Sequence, residues 1–274
     1  MKANLGDMMD IMEDLAPLAL SEDWDNSGLQ IGHRNQQVKK VMVALDPSVQ
    51  VVEAACHDNA DLLITHHPLI FNPLRSIDLK TPIGKIISLA IENKLSIYSA
   101  HTNLDVAHDG INDILARKIG LNDLTVLNMT HKPFDLQVDG KNVGIGRIGV
   151  VEEKMDLYKL AEHVKSRLAL KCVRVAGKQD LLIHKVAVCC GSGSSLLDRF
   201  FSSGAEAFVA GDLRYHDARD AEALNCGLID IGHFASEHLM LNVLVDKLNH
   251  KVKERHLDVV TKAYVLESDP FIVY

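Results

Sequence analysis

Apolar segments of strand length alternate with amphipathic segments of helix length along most of this chain of 274 residues. The first series consists of strand KVMVALD (40–46), helix VQVVEAACHDN (49–59), strand DLLITHH (61–67), helix PIGKIISLAIEN (82–93) and strand LSIYSAH (95–101). Strands of continuous apolar character that are joined by helices indicate a parallel sheet covered on both faces. The sequence therefore predicts an α/β fold with mostly parallel sheets.

A second series of the same kind follows a more mixed stretch at 121–184. Its three predicted strands, again separated by predicted helices, are KVAVCCG (185–191), AEAFVAGD (205–212) and GLIDIGH (227–233). The third strand of each series ends alike, with a histidine followed four residues later by a carboxylate. We therefore expect two related α/β domains, at 1–125 and 126–249, with the C-terminal segment at about 250–274 packed onto the first.

Five side chains that can bind a metal lie at or just beyond the carboxyl ends of predicted strands: His66, His67, Asp105, His233 and Glu237. Ligand sites of doubly wound sheets gather at these ends. Three imidazoles and two carboxylates suit Zn(II), Fe(II) or Mn(II) better than calcium or magnesium. Five ligands exceed what one catalytic zinc takes from a protein. We therefore expect two divalent metal ions per subunit, with the adjacent histidines diverging to bind one each.

Each of these features also has an ordinary explanation when it is taken alone. The pair His66 and His67 can be incidental, and a histidine and a glutamate four residues apart at a helix start can be a solvated face or a cap. Asp105 can be a turn residue or an N-cap. The metal hypothesis depends on the occurrence of all five residues at strand ends within matched halves.

Five segments of the chain resemble the signature segments of the GTP cyclohydrolase 1 type 2 homologues, also called the Nif-three-like proteins. They are WDNSGLQIG (24–32), THHPLIF (65–71), AHTNLDVAHDGIND (100–113), GDLRYHDA (211–218) and DIGHFASE (230–237). The resemblance implies that the five residues named above bind metal, with Glu237 bridging. It also implies two related α/β domains, a dinuclear site in the cleft between them, and a ring-shaped homohexamer.

Three further residues are candidates for catalysis. A histidine near metals can titrate near neutrality, so we expect His216 to transfer protons. Asp212 would orient His216 or bind water, or it would be a plain helix N-cap. His101 mirrors His233 in the two series, but the resemblance does not make it a ligand. We expect His101 to contact a ligand carboxylate or the substrate, or to be purely structural.

Composition limits the classes of binding partner and the cellular compartment that we expect for this chain. The net charge of −8 argues against a dedicated nucleic-acid binder, whose affinity comes largely from lysine and arginine on phosphates. No stretch approaches the roughly 18 apolar residues that span a bilayer, and acids interrupt the N-terminal segment, so we expect neither a membrane span nor a secretory signal. Five cysteines without a CxxC pair indicate free thiols in a reducing cytoplasm.

These features predict a dinuclear metal-dependent hydrolase of a small molecule. The name of the family suggests a nucleotide, in particular GTP. The alternative is a non-catalytic metal-binding scaffold or regulator that acts through protein or nucleic-acid partners. Five protein ligands for two ions would leave coordination positions open, and this favours catalysis.

Overall fold

The structure is a computed structural model, and it describes residues 1–129 and 143–273. The strands within these residues are β1 (Ala3–Asn4), β2 (Gly28–Ile31), β3 (Gln37–Val38), β4 (Lys40–Ala44), β5 (Leu62–Thr65), β6 (Ser96–Ser99), β7 (Asn122–Met129), β8 (Gly144–Asp156), β9 (Arg174–Ala176), β10 (Leu182–Ser192), β11 (Ala207–Gly211), β12 (Gly227–Asp230) and β13 (Val260–Ala263). The α-helices are α1 (Leu5–Leu15), α2 (Val49–His57), α3 (Pro82–Glu92), α4 (Thr102–Val106), α5 (Ile111–Lys118), α6 (Leu157–Arg167), α7 (Leu197–Ser202), α8 (Tyr215–Ala223), α9 (His233–Glu237) and α10 (Met240–Glu254).

The chain divides into two compact units, and unit 1 consists of Met1–Leu104 and Met240–Ser268. Its five-stranded sheet has the order β13-β4-β5-β6-β2. The strands β13, β4, β5 and β6 run parallel to one another, whereas the edge strand β2 is antiparallel to β6. The last strand of the chain therefore forms one edge of this sheet.

The core of unit 1 forms where helices cover the central strands. β5 and β6 are buried along their whole length, and Met42, Leu63 and Ile87 belong to one apolar cluster that also includes residues of α2 and α3. Both helices begin at a hydroxyl N-cap, since Ser48 accepts from the α2 backbone and Thr81 from the α3 backbone. Each cap contributes about 1 kcal/mol to helix stability.

Unit 2 consists of Asp105–Leu239 and the residues from Asp269 onward. Its six-stranded sheet has the order β7-β8-β10-β11-β12-β9. Here β10, β11 and β12 are parallel, but the pairings of β7 with β8, β8 with β10 and β12 with β9 are antiparallel. Our prediction of mostly parallel sheets is correct for unit 1 and wrong for unit 2. β7 is exposed or half-buried along its length, and a strand with a solvated face is typical of antiparallel pairing.

The same arrangement of three strands occurs in each unit. β4, β5 and β6 are adjacent, parallel and in chain order, and so are β10, β11 and β12. A short helix follows the third strand in both cases, α4 after β6 and α9 after β12. This agreement in order and direction supports two related α/β halves.

The helical segment after β12 begins at His233 and is divided into α9 and α10. Gly232 has a φ of 81°, which lets the chain turn directly from β12 into α9. The break coincides with the point where the chain leaves unit 2 and enters unit 1.

A helix that crosses a bilayer needs about 20 predominantly apolar residues. α10 has 15 residues and carries charged side chains such as Asp246, Lys251 and Lys253. None of the helices within the described residues has both the length and the apolar character needed to cross a bilayer.

Asp217, in the first turn of α8, accepts a hydrogen bond from the backbone of the N-cap residue Arg214. Replacing Asp217 by asparagine is expected to lower the free energy of unfolding by an amount that depends on pH. The Arg214 amide donates to Asp217 Oδ2 at 2.8 Å, and the Arg214 guanidinium and the Ser194 hydroxyl also donate to this carboxylate. Burial would raise the pKa of Asp217, but these hydrogen bonds hold the pKa below 3.8. The ionised carboxylate therefore stabilises the fold above about pH 4, and this stabilisation is lost as the pH falls further.

We expect Asp217→Asn to lower the free energy of unfolding by about 1–2 kcal/mol at pH 7, with a smaller difference from the wild type at about pH 3. Urea unfolding followed by circular dichroism measures both values. Asp220→Asn, at an exposed position of the same helix, is the matched control. A deficit that stays the same at both pH values would contradict the prediction.

Candidate metal centre

The histidine pair follows β5 directly. The amides of His66 and His67 donate to the carbonyls of Ala44 and Leu45, so this backbone remains attached to the end of β4. However, β5 ends at Thr65, and the rule that neighbouring side chains face opposite ways applies only to extended strands. The two ring centroids lie 5.0 Å apart. The two rings are neighbours with their planes inclined by 50°, and whether each binds a separate ion stays a prediction.

His101 joins this pair in unit 1. Its ring centroid lies 5.1 Å from that of His66 and 5.6 Å from that of His67. Each of the three residues offers one ring nitrogen, and these nitrogens all lie within 4.8 Å of one another. The structure therefore groups His101 with two predicted ligands, in a set that could hold a metal ion.

The histidine pair is oriented by oxygen acceptors. His66 Nδ1 lies 2.9 Å from the carbonyl oxygen of Ala100, and His67 Nδ1 lies 2.7 Å from Asp46 Oδ1. A carbonyl oxygen only accepts, so Nδ1 of His66 carries the proton, and the carboxylate favours the same tautomer in His67. A neutral imidazole then carries its lone pair on Nε2, which is the arrangement found in metal-binding histidines.

His101 is oriented in the same way by a buried carboxylate. His101 Nδ1 lies 2.7 Å from Asp25 Oδ1, and Ser27 and Thr102 also donate to Asp25. Burial would raise the pKa of Asp25, but the hydrogen bonds from His101, Thr102 and Ser27 hold the pKa well below its usual range. Asp25 is thus a fixed negative charge behind the His101 ring.

Two predicted ligands in unit 2 lie on α9, which follows β12. His233 and Glu237 are four residues apart and so share one helix face, and His233 Nε2 lies 3.1 Å from Glu237 Oε2. Two ligands of a tetrahedral zinc ion are separated by about 3.3 Å, given bonds of about 2.0 Å. His233 Nδ1 lies 2.8 Å from Asp212 Oδ2, so this imidazole is also oriented through Nδ1 by an oxygen acceptor.

Asp105, the remaining predicted ligand, is fixed by two side chains of unit 2. Cys190 Sγ donates to Asp105 Oδ1 at 3.0 Å, and Asn112 Nδ2 donates to the Asp105 backbone carbonyl at 3.0 Å. Asn112 Oδ1 in turn accepts from the Cys190 amide at 2.9 Å. Burial raises the pKa of the Cys190 thiol, and the charge of Asp105 raises it further. Cys190 therefore stays protonated and acts as a hydrogen-bond donor.

Gly191 makes room for Glu237. A Cβ at this position would lie 2.4 Å from Glu237 Oε1 and 3.5 Å from His233 Cε1. The φ of Gly191 is 61°, a conformation that residues with a side chain rarely adopt. Its amide donates to the Ser236 hydroxyl at 2.8 Å, which attaches this turn to α9. Glycine is thus required at position 191 for two reasons: a Cβ would clash with the Glu237 carboxylate, and the positive φ disfavours a side chain.

The structure assigns Asp212 a different partner from the one we predicted. Asp212 binds His233 rather than His216, and the N-cap of α8 is Arg214, so the N-cap interpretation of Asp212 is wrong. His216 lies exposed on the first turn of α8, with its ring 5.4 Å from that of Tyr215. Its role in proton transfer remains a prediction.

Three residues of the site were missed by sequence reasoning. Asp46 ends the first predicted strand and meets the same strand-end criterion as the predicted ligands, so it was accessible to that argument. Asp25 lies within the segment WDNSGLQIG, but nothing local indicates that it accepts from His101. Cys190 lies 85 residues from Asp105, and no sequence pattern predicts their contact.

The donor atoms of both units fit divalent transition metals. Unit 1 offers imidazole nitrogens, and unit 2 offers one imidazole and two carboxylates, a mixture that suits Zn(II), Fe(II) or Mn(II). Oxygen acceptors hold Nδ1 of His66, His67, His101 and His233, as in established metal sites. The residues present thus fit a metal.

Comparison with known proteins gives matches over nearly the whole chain. A family model described as Duf34/NIF3 (NGG1p interacting factor 3) matches residues 3–270. A Clostridium acetobutylicum protein named GTP cyclohydrolase 1 type 2 homolog is 36% identical over 248 residues, which cover 90% of each chain. A Clostridium perfringens protein of the same name is 36% identical over 251 residues, which cover 92% of each chain.

Solved structures give the same result. A Bacillus cereus protein related to NIF3 matches with a TM-score of 0.92 at 30% identity, covering 99% of each chain. Reduced HcgD from Methanocaldococcus jannaschii matches with a TM-score of 0.77 at 28% identity, covering 96% of this chain and 98% of that one. Sequence and fold agree, and this chain belongs to the Duf34/NIF3 family.

Proposed function

We propose that this protein is a metal-dependent hydrolase whose centre holds two divalent metal ions. Its ligands would be His66, His67, Asp105, His233 and Glu237. The observation that carries the proposal is the orientation of the imidazoles. Oxygen acceptors hold Nδ1 of each predicted histidine ligand, which leaves Nε2 as the ring nitrogen that would bind a metal. A structural histidine needs no such uniform arrangement.

The side chains around the ligands would tune the centre. Divalent ions bound there would supply Lewis acidity and an activated water near neutral pH. Asp46 and Asp212 fix the orientation of the imidazoles of His67 and His233. His101, backed by the Asp25 carboxylate, is placed beside the histidine pair, where it would hold or accept a proton from the reacting water.

The substrate proposal goes one step further and rests on the names of the relatives. Proteins similar to this chain are named GTP cyclohydrolase 1 type 2 homolog. A nucleotide substrate follows for this chain as a proposal, with water adding at C8 of a guanine ring, ring opening, and hydrolytic release of formate. Because a fold can serve many substrates, the test should include phosphoesters as well as nucleotides.

The experiment compares ligand variants from the two units. We expect His67→Ala and Asp105→Ala each to lose bound metal, measured by elemental analysis, and to abolish turnover of any substrate found in the screen. Asp46→Asn should bind metal about 10–100-fold more weakly, because it removes only the charge behind His67. His250→Ala, at an exposed histidine of α10, should match the wild type in both measurements.

Two results would contradict the proposal. Turnover that survives complete removal of the metals by a chelator would exclude a metal-dependent hydrolase. Stoichiometric metal without turnover of any nucleotide or phosphoester would favour the non-catalytic scaffold instead. Loss of metal in only one of the two ligand variants would show that the five residues do not form one centre.

The proposal includes an assembly and a compartment. The family resemblance suggests a homohexameric ring, and light scattering of the native protein would measure its mass. The cysteines in the described residues are free; Cys189 and Cys190 are buried, whereas Cys172 is exposed. Free thiols suit a reducing compartment such as the cytoplasm.

A further inference from the structure

Two large aromatic side chains are exposed next to the histidines of unit 1. Trp24 is 59% exposed and Phe71 is 48% exposed, and their ring centroids lie 5.9 Å apart with an angle of 53° between the planes. Scattered exposed apolar residues are common, but two adjacent aromatic rings form a continuous apolar surface. We call Trp24 and Phe71 the aromatic platform.

The aromatic platform borders the candidate metal ligands. His101 stands edge-on to both rings, with its centroid 6.0 Å from that of Trp24 and 6.4 Å from that of Phe71. The His101 ring centroid also lies 5.1 Å from that of His66 and 5.6 Å from that of His67. A molecule lying on the platform would therefore be close to the three imidazoles.

Hydrogen bonds fix the segments that carry the two rings relative to each other. The Asn26 side chain donates to the Ile70 carbonyl, and the Ile70 amide donates to Gln30 Oε1 at 3.1 Å. Asp25, which follows Trp24 in the chain, accepts hydrogen bonds from His101 Nδ1, the Thr102 backbone amide and the Ser27 hydroxyl. The surface is thus organised before a ligand arrives, which lowers the entropy cost of binding.

The surroundings of the platform favour a flat, uncharged ring over an anionic group. Trp24 is flanked by acids in the segment SEDWD (21–25), so a phosphate would meet negative charge there. Aromatic faces stack with every nucleobase, because each base has a π-face, and they need no hydrogen-bond partner to do so.

We propose that the aromatic platform stacks against the planar heteroaromatic ring of the substrate, a purine- or pyrimidine-like base. This inference rests on the proposed function, because it assigns the substrate class of the same site. Because the two ring planes are inclined by 53°, the base would stack on one ring and contact the other at an angle, and the bond to be hydrolysed would then lie toward His66, His67 and His101. The platform would act in binding and specificity rather than in bond cleavage.

Trp24 is the one tryptophan of the sequence, so intrinsic fluorescence reports on the platform directly. Titration with guanosine and with adenosine, corrected for absorption with free N-acetyltryptophanamide, should quench this emission saturably. Ribose 5-phosphate, which carries the phosphate without a base, should not quench it. Quenching by ribose 5-phosphate as strong as that by guanosine would overturn the proposal.

Phe71→Ala leaves the reporter in place and removes half of the platform. We expect it to weaken guanosine binding by about 5–100-fold, and to raise KM for a nucleotide substrate while kcat stays nearly unchanged. Phe71→Tyr should keep wild-type binding. Phe271→Ala, which removes an 84% exposed phenylalanine of unit 2, is the matched control and should also bind guanosine like the wild type.

Other outcomes separate this inference from the proposed function. Unchanged guanosine binding in Phe71→Ala would overturn the platform, and so would a lower oligomeric mass of that variant, since the rings would then join copies of the chain. Base-dependent quenching without any turnover would support the platform and contradict the hydrolase. Metal-dependent turnover of phosphoesters without nucleoside binding would support the hydrolase and contradict the platform.

Discussion

Asp113→Ala is expected to lower the free energy of unfolding by about 3–5 kcal/mol, the largest effect on stability that we predict. Asp113 and Arg147 form a buried bidentate ion pair in unit 2, with Nε to Oδ1 at 2.9 Å and Nη2 to Oδ2 at 2.7 Å. The same guanidinium donates to the carbonyls of Gly144, Gly146 and Ala107. Removing the carboxylate leaves a positive charge in the interior without its counterion.

The size of this effect comes from the isolated charge rather than from the attraction between the partners. We therefore expect the double variant Asp113→Leu with Arg147→Met to recover part of the loss, because neither charge remains buried. Glu222→Ala, which breaks the exposed pair between Arg219 and Glu222, should cost less than about 1 kcal/mol. Urea unfolding measures all three variants, and a loss below about 1 kcal/mol in Asp113→Ala would contradict the prediction.

Gly191→Ala is expected to displace Glu237 and to weaken metal binding by at least about 10–100-fold, the range seen when groups that orient metal ligands are disturbed. The new Cβ would lie 2.4 Å from Glu237 Oε1, well inside a van der Waals contact, so the carboxylate has to move. The φ of 61° adds a backbone cost of about 1–2 kcal/mol for any residue with a side chain. Competition with a chromophoric chelator for Zn(II) measures the affinity.

Gly204→Ala separates the backbone cost from the displaced carboxylate. Gly204 has a φ of 73°, but the nearest atom to its added Cβ is Lys185 Nζ at 3.8 Å. This control should lose a similar amount of stability and bind Zn(II) like the wild type. Wild-type affinity in Gly191→Ala would show that Glu237 does not bind the metal or that it can bind from another position.

Local patterns were enough to predict most of the elements that carry the site. The continuous apolar runs of β4, β5 and β6 are readable because burial acts on residues close in sequence. The antiparallel strands of unit 2 were not predicted. Whether a strand pairs in parallel or antiparallel fashion depends on a partner strand outside its own segment, as β8 depends on β10.

The sequence by itself determined the α/β class, the strand ends at which candidate ligands gather, and the family. Tertiary structure alone decided which atoms orient those ligands: Asp46 at His67, Asp25 at His101, and Cys190 at Asp105. The physical reason is range. Strand and helix patterns arise from interactions between near neighbours, whereas a hydrogen bond to an imidazole or a carboxylate requires two groups that only the folded chain brings within about 3 Å.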